Sequence, residues 1–438
     1  MGISNIIFLV VFLVAITFFI RNLNRIIANI KLGRDIDRSD RSTDRWKNMF
    51  RVAVGQSKMT RRPVAGILHI ILYLGFVIIN IEVIEIIVDG IFGSHRFLSS
   101  ILPIGLYNFL IGSFEILAIL VLVACVIFLI RRNVVRIKRF WSKEMTSWPR
   151  TDANLILIFE IMLMSAFLIM NATDGLLFSA GASHYVTSFS NPISQYFQFM
   201  FMGMDTATLV AIERFTWWFH IIGILMFMNY VLISKHLHIF FAFPSTYFAN
   251  LNPLGQFSNL QSVTDEVKLM MDPNADPYAA PAATAAAPPE QFGAKDATDL
   301  NWVQLLNAYS CTECGRCTDS CPANQTGKLL SPRKILMDTR DRITEFADNK
   351  RKGKEDSKSL LGDYITSEEL WACTSCNACT DACPIELDPL SIIIDMRRYL
   401  VMEESAAPAE LNMMFANVEN NGAPWQFPAT DRLNWKDE

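Results

Sequence analysis

Residues 311–322 read CTECGRCTDSCP, and residues 373–384 read CTSCNACTDACP. Both follow the spacing C-x2-C-x2-C-x3-C-P. Three thiolates in one tight loop suit three irons of a [4Fe–4S] cube, and the fourth cysteine, turned away by its proline, reaches a second cube. This pattern assigns Cys311, Cys314, Cys317 and Cys383 to one cluster. Cys373, Cys376, Cys379 and Cys321 then hold the other. A zinc site needs four ligands rather than two identical quartets, and disulfides do not suit a cytoplasmic domain.

The flanks of the two motifs decide the secondary structure. Ser331-Pro332 and Asp388-Pro389 each read as an N-cap followed by proline at the first helical position. The segments SPRKILMDTRDRITEFADN and DPLSIIIDMRRYLVMEES follow as helices. The long spacing between the motifs, together with these helices, predicts an all-helical two-cluster domain over 301–404 rather than a compact sheet. It is similar to the helical ferredoxin found in succinate dehydrogenase and heterodisulfide reductase.

Upstream, residues 272–299 are dominated by Ala and Pro without apolar periodicity. A solvated tether is expected within 246–300, leaving the position of the soluble domain unfixed. Residues 1–245 carry apolar runs at 3–20, 63–88, 105–130, 152–170 and 214–243. Each can cross ~30 Å of hydrocarbon, which takes about 20 residues. The first lacks a basic leader and a small-residue cleavage site, so it reads as an uncleaved anchor. The expected fold class is therefore all-α: a five-helix transmembrane bundle followed by a helical ferredoxin domain.

Charge sets the expected orientation. Residues 21–62 hold twelve Lys/Arg and residues 131–150 hold seven, whereas Arg96 is the sole one in loops 89–104 and 171–213. Positive loops stay inside, so the N-terminus is expected outside the inner membrane and the cysteine domain in the cytoplasm. From residue 246 onward there are 17 Lys+Arg against 29 Asp+Glu. That acidic balance argues against nucleic acid as a partner.

The histidines supply a second kind of site. His69, near the inner end of the second span, matches His236 and His238 in depth. Imidazoles on facing helices at one depth are what an axially ligated haem b needs. On a regular helix, His220 and His238 stand eighteen residues apart, which is five turns of 3.6, so they share a face. His236 is expected to turn away toward the interface and is the weaker candidate ligand. His69 and His238 are thus expected to hold an inner haem. His220 is the candidate ligand of a second haem, five-coordinate or paired with His95 or His184. Charges within spans mark function, and Glu115, Glu160, Glu82 and Glu85 are the candidate proton or quinone residues. Cys125 reads as packing.

These spans, with one His in the second helix and two eighteen residues apart in the fifth, resemble the cytochrome b subunit of respiratory nitrate reductase. That family has two histidines in the second helix. Here Ile79 and Asn80 occupy the place of the outer one. The stretches VGQSKMTRRPVAGILHIILYLGF around His69 and PAELNMMFANVENNGAPWQFPATDRLNW in the tail resemble membrane-bound heterodisulfide-reductase-like iron–sulfur proteins. In that family the tail leads into a cysteine-rich CCG domain. No CCG motif is present here, so the resemblance implies a separate CCG-domain chain as partner, with an electron-transfer flavoprotein as a further candidate donor. Trp425, Phe427 and Trp435 in the tail, 405–438, favour docking to such a partner.

The resulting expectation is a membrane-anchored oxidoreductase subunit moving electrons between a cytoplasmic partner and the quinone pool through two [4Fe–4S] clusters and haem b. The chain carries no dinucleotide-binding glycine fingerprint. Two alternatives stay open. One is a membrane redox sensor. The other is a cluster scaffold of a larger assembly without functional haem.

Overall fold

The computed structural model describes residues 2–185, 189–273 and 291–437, and among these there are helices and isolated bridges but no strand. Five helices are long and apolar enough to cross a membrane: Ile3–Ile30, Pro63–Phe92, Ile104–Asn133, Ser147–Ser179 and Thr206–Val231. They are the first to fifth spans below. Pro63 opens the second span at a position whose N–H needs no partner. Asp205 caps the fifth, its carboxylate accepting from the Thr208 N–H at 3.0 Å. The spans pack around a core that includes Tyr107, Ile111, Phe114, Phe167 and Ile221.

The expected fifth helix, 214–243, is in fact two. The fifth span ends at Val231, a three-residue turn covers Lys235–Leu237, and a new helix runs His238–Tyr247. The break has a local cause and a distant one. Ser234 accepts from the His236 N–H at 3.1 Å, the side-chain competition that ends helices. Buried Asp152, on the fourth span, accepts from the Lys235 N–H at 3.0 Å and from the Tyr230 hydroxyl at 2.5 Å. Donors freed by the break are thus satisfied from another helix, as burial requires.

The cysteine domain comprises Trp302–Ser310, Pro332–Arg351 and Pro389–Met402 with shorter turns between them. Ser331 and Asp388 cap the two proline-started helices as expected, accepting from Lys334 N–H and Ser391 N–H. This domain does not hang on a free tether. Residues 274–290 lie outside the described residues, but Ala294, Ala297 and Leu300 are buried in the same core as Leu305, Ile335 and Ile393. That core also contains Ile26 and Ile30 of the first span, and Leu232, Leu237 and Phe241 beyond the fifth. Arg34 N–H donates to Leu300 O at 2.8 Å and Trp302 N–H to Arg34 O at 3.0 Å, a short bridge between the two halves. The expectation of an unfixed position is corrected: apolar packing and paired backbone hold the domain in place.

Charge reinforces the docking. The basic loop after the first span faces the acidic domain, where Arg61 Nη1 meets Asp381 at 2.9 Å and Lys58 Nζ meets Glu386 at 3.2 Å; Arg25, within the first span, pairs with Asp348. Arg333 is fully buried, with Nη2 at 2.6 Å from Glu144 and Nη1 at 2.7 Å from Arg139 O, both in the loop between the third and fourth spans. The end of the bundle that carries the cysteine domain is called the near end, and the opposite one the far end.

Candidate functional site

The two cysteine loops have the same backbone. Glu313 and Gly315 in the first, and Ser375 and Asn377 in the second, occupy matching places with φ of 55°, 71°, 56° and 58°. Left-handed residues at alternating positions curl the chain so that its N–H groups point inward. Glu313 N–H and Ser375 N–H each reach the Sγ of the first cysteine in their loop, Cys311 and Cys373, at 3.4 Å. Gly315 also makes room for Arg333, whose Nη1 would lie 2.5 Å from an added Cβ, whereas the matching place in the second loop accepts Asn377.

Cys311, Cys314, Cys317 and Cys383 line one cavity. Three come from one motif and the fourth from the other. In the second set, Cys373 lies within electrostatic reach of Cys321 and Cys376, and Cys379 of Cys373. Cys317 feels both its own set and Cys379, so the two sets are neighbours. Among the described residues no three His, Cys, Asp or Glu converge closely enough for a single metal ion. A cubane asks for a wider ring, because its four thiolates bind four different irons. The donor set therefore fits two [4Fe–4S] clusters and not a zinc ion. Each set has two buried cysteines, Cys311 and Cys383 in the first and Cys321 and Cys379 in the second, and Cys376 of the second set is exposed.

The histidines converge at the near end. A cavity of about 310 Å³ is lined by His69, His236, His238, Glu160 and Cys125, with apolar walls such as Leu72 and Val121. The His69 and His238 rings stand 6.3 Å apart between centroids. A metal–imidazole bond is about 2 Å, so two rings across one iron stand roughly 6 Å apart. His69 Nδ1 is buried without a hydrogen-bond partner. His238 Nδ1 is 3.1 Å from Lys235 O and, as the donor there, leaves Nε2 with its lone pair. An apolar cavity, an orphaned ring nitrogen and this spacing fit an axially ligated haem.

His236 is a correction. It does not turn away: its ring lies 5.3 Å from that of His238 and 5.7 Å from Phe227, and it lines the same cavity. The break at 232–237 invalidates the face count made on a continuous helix. His238 differs from His236 by its spacing to His69 and its bond to Lys235, and not by which side of a helix it occupies.

His220 is fully packed. Its Nδ1 is 3.0 Å from Leu163 O, and its ring lies 5.9 Å from Phe167. A Cβ at Gly223 would meet Leu163 Cδ2 at 2.6 Å, so the glycine lets the two spans approach this closely. His95 and His184 sit elsewhere, 5.2 Å apart, in a polar chamber at the far end, with His95 Nε2 at 3.2 Å from Asp174.

The four candidate glutamates separate. Glu160 alone among them lines the histidine cavity. The others belong to a buried network centred on Arg96, which bonds Glu82 at 3.3 Å, Asp174 at 2.9 Å and Asn171 at 2.6 Å. Asn171 donates to Glu115 at 3.0 Å, and Glu115 also accepts from Ile193 N–H and Ser194 N–H. Glu85 accepts from Leu98 N–H at 2.9 Å. The tail extends outward, with Trp425, Phe427 and Trp435 exposed.

Sequence reasoning missed the residues that join the two sites. Lys235 Nζ lies 2.5 Å from Glu313 Oε2, and Arg340 Nη1 lies 2.9 Å from Glu313 Oε1. Burial works against the charge of Glu313, but Arg340 and Lys235 hold its carboxyl below the usual range. The available signal was position alone, since Glu313 lies between two cysteines and Lys235 beside His236.

Comparison with known proteins agrees with the cysteine site. The family model described as "4Fe-4S dicluster domain" matches residues 310–387. A probable iron–sulfur-binding oxidoreductase FadF of Bacillus subtilis is 30% identical over 99% of this chain and 61% of its own length. An EtfAB:quinone oxidoreductase of Syntrophomonas wolfei is 27% identical over 92% of this chain and 55% of its own. One component of the ferredoxin/F(420)H(2)-dependent CoB-CoM heterodisulfide reductase of Methanosarcina acetivorans is 33% identical over 24% of this chain and 52% of its own. The chain therefore carries a 4Fe-4S dicluster domain and is a relative of iron–sulfur oxidoreductases and heterodisulfide reductase subunits, spanning about three-fifths of the first relative's length. No solved structure matches it.

Proposed function

We propose that this chain is a membrane-anchored electron-transfer subunit linking a soluble redox partner to the quinone pool through two [4Fe–4S] clusters and one b-type haem. The observation that carries the reading is the shared core and the Glu313–Lys235 contact, which set the first cysteine loop against the histidine cavity. His69 and His238 would hold the haem, which when bound supplies a one-electron carrier inside the bilayer. The first set of cysteines faces that carrier. The second, with Cys376 exposed, faces the partner.

The residues of this chain do the rest. The apolar walls exclude water, Lys235 O orients His238, and Glu160 stands in the same cavity as the candidate proton donor or acceptor for a quinone carbonyl. A quinone partner is suggested by the relative whose name carries one. That name also points to an electron-transfer flavoprotein as donor, and the heterodisulfide reductase relative is named as one subunit of an assembly, which supports a separate partner chain, the CCG-domain chain being the candidate. The basic loops support an orientation with the near end and its clusters in the cytoplasm and the N-terminus outside.

Anaerobic purification tests this. Reduced-minus-oxidised spectra should show a b-type α band, and iron should reach about eight per chain beyond haem. Quinol should reduce the clusters or be formed by them. Full iron without the band would remove the haem from the path, and clusters inert to quinone would remove the quinone.

A further inference from the structure

We infer that Lys235 is a positioning residue that joins the first cluster to the haem ligand in one charge-balanced bridge. The inference rests on the function proposed above. Lys235 opens the turn at which the fifth span breaks. Its Nζ reaches Glu313 Oε2 at 2.5 Å and Pro149 O at 2.6 Å. Its N–H donates to Asp152 at 3.0 Å, and its carbonyl lies 3.1 Å from His238 Nδ1. A single residue is therefore bonded through side chain, N–H and C=O.

Glu313 is held in the same way from the other side. Its N–H reaches Cys311 Sγ at 3.4 Å, its carbonyl accepts from Arg333, and Oε1 accepts from Arg340 at 2.9 Å. A continuous trace follows: Cys311 Sγ, Glu313, Lys235, His238, with a hydrogen bond at each junction. The paired side chains are 11% and 4% exposed. Removing such charges from water is costly, and there they act with little screening.

With both groups bound, one electron would pass from the first cluster, oxidising it, to the haem, reducing it, and Lys235 and Glu313 would keep their protons as they are. The bridge needs no change of ionisation for this. Its contribution is to fix the spacing and to bias both potentials. The ammonium favours the reduced, more negative form of each carrier, and the carboxylate opposes it.

The test uses the full chain purified anaerobically, as wild type, Lys235→Met, Lys235→Arg and Glu313→Gln. Iron and haem content, midpoint potentials of haem and clusters, and the rate of haem reduction by pre-reduced clusters are measured on each. Lys235→Met should lower both potentials and slow haem reduction about tenfold or more at unchanged loading, and Lys235→Arg should restore most of the rate. Glu313→Gln should raise the potential of the first cluster. Opposite signs separate a charge bridge from general structural damage, which would move both variants alike. Unchanged potentials and rates at full loading, or shifts of the same sign, overturn the bridge. If Lys235→Met does not fold, the sign for Glu313→Gln decides. A wild type without the b-type band overturns the proposed function along with the bridge, whereas a normal wild type with unresponsive variants overturns the bridge alone.

Discussion

The two ends of the helical bundle use the same residue types to opposite effect. At the near end, three histidines surround an apolar cavity, and His69 Nδ1 has no partner. In the middle of the bundle His220 is packed against a carbonyl, and at the far end His95 lies against a carboxylate and Arg96 is bonded to Glu82, Asp174 and Asn171. A buried polar group without a partner is costly, so the near end is built for something that completes it. The far end holds its charges around Arg96 and also leaves Glu82 Oε2, Asp174 Oδ1 and His95 Nδ1 without partners, so what sets the near end apart is an orphaned ring nitrogen beside an apolar cavity. Histidine in a membrane helix is therefore informative only together with what its nitrogens touch.

This contrast can be broken experimentally. The largest effect expected is the complete loss of the b-type band in His69→Ala or His238→Ala, read in reduced-minus-oxidised spectra, with iron content retained. Arg96→Met should leave the band in place but destabilise the bundle by about 3–5 kcal/mol, because it strands buried carboxylates. Thermal unfolding in detergent would check it, and a lost band with normal stability would reverse the roles of the two ends. His220→Ala should cost about 1–3 kcal/mol through the lost packing of a buried ring and its lost hydrogen bond to Leu163 O, again with the band intact. A missing band in that variant would make His220 a haem ligand. The smallest effect is expected for His236→Ala, which should keep the haem and shift its absorption slightly. Loss of haem there, with His238→Ala still loaded, would exchange the two ligands.

How much of this could be read in the chain varies with how local the physics is. The cluster ligands were legible because Cys311 to Cys317 sit in one short loop whose spacing is the chemistry. The spans were legible from apolar length, and Ser331-Pro332 and Asp388-Pro389 from capping rules. The break before His238 was not legible, because it depends on Asp152, which is distant in the chain and meets the Lys235 N–H only in the folded bundle. Arg96 stood out as the one basic residue of its loops, a fact that served orientation and concealed its buried role. The docking of the two halves was hidden for a similar reason. The Ala/Pro-rich composition of 272–299 reads as a tether, yet Ala294 and Ala297 within it are buried in the shared core, and nothing in it announces Arg34 pairing with Leu300 and Trp302.

The shared core also bears on how the molecule is made. Ile26, Ile30 and Asn29 leave the ribosome early, yet their neighbours, among them Ile343 and Tyr309, are translated far later. Until then the near-end extension of the first helix has an uncovered apolar side. The cysteine half, conversely, finds part of its floor only on helices already inserted. Maturation should then run in one order, bundle first and iron delivery last, with the membrane half acting as the template on which the cofactor domain closes.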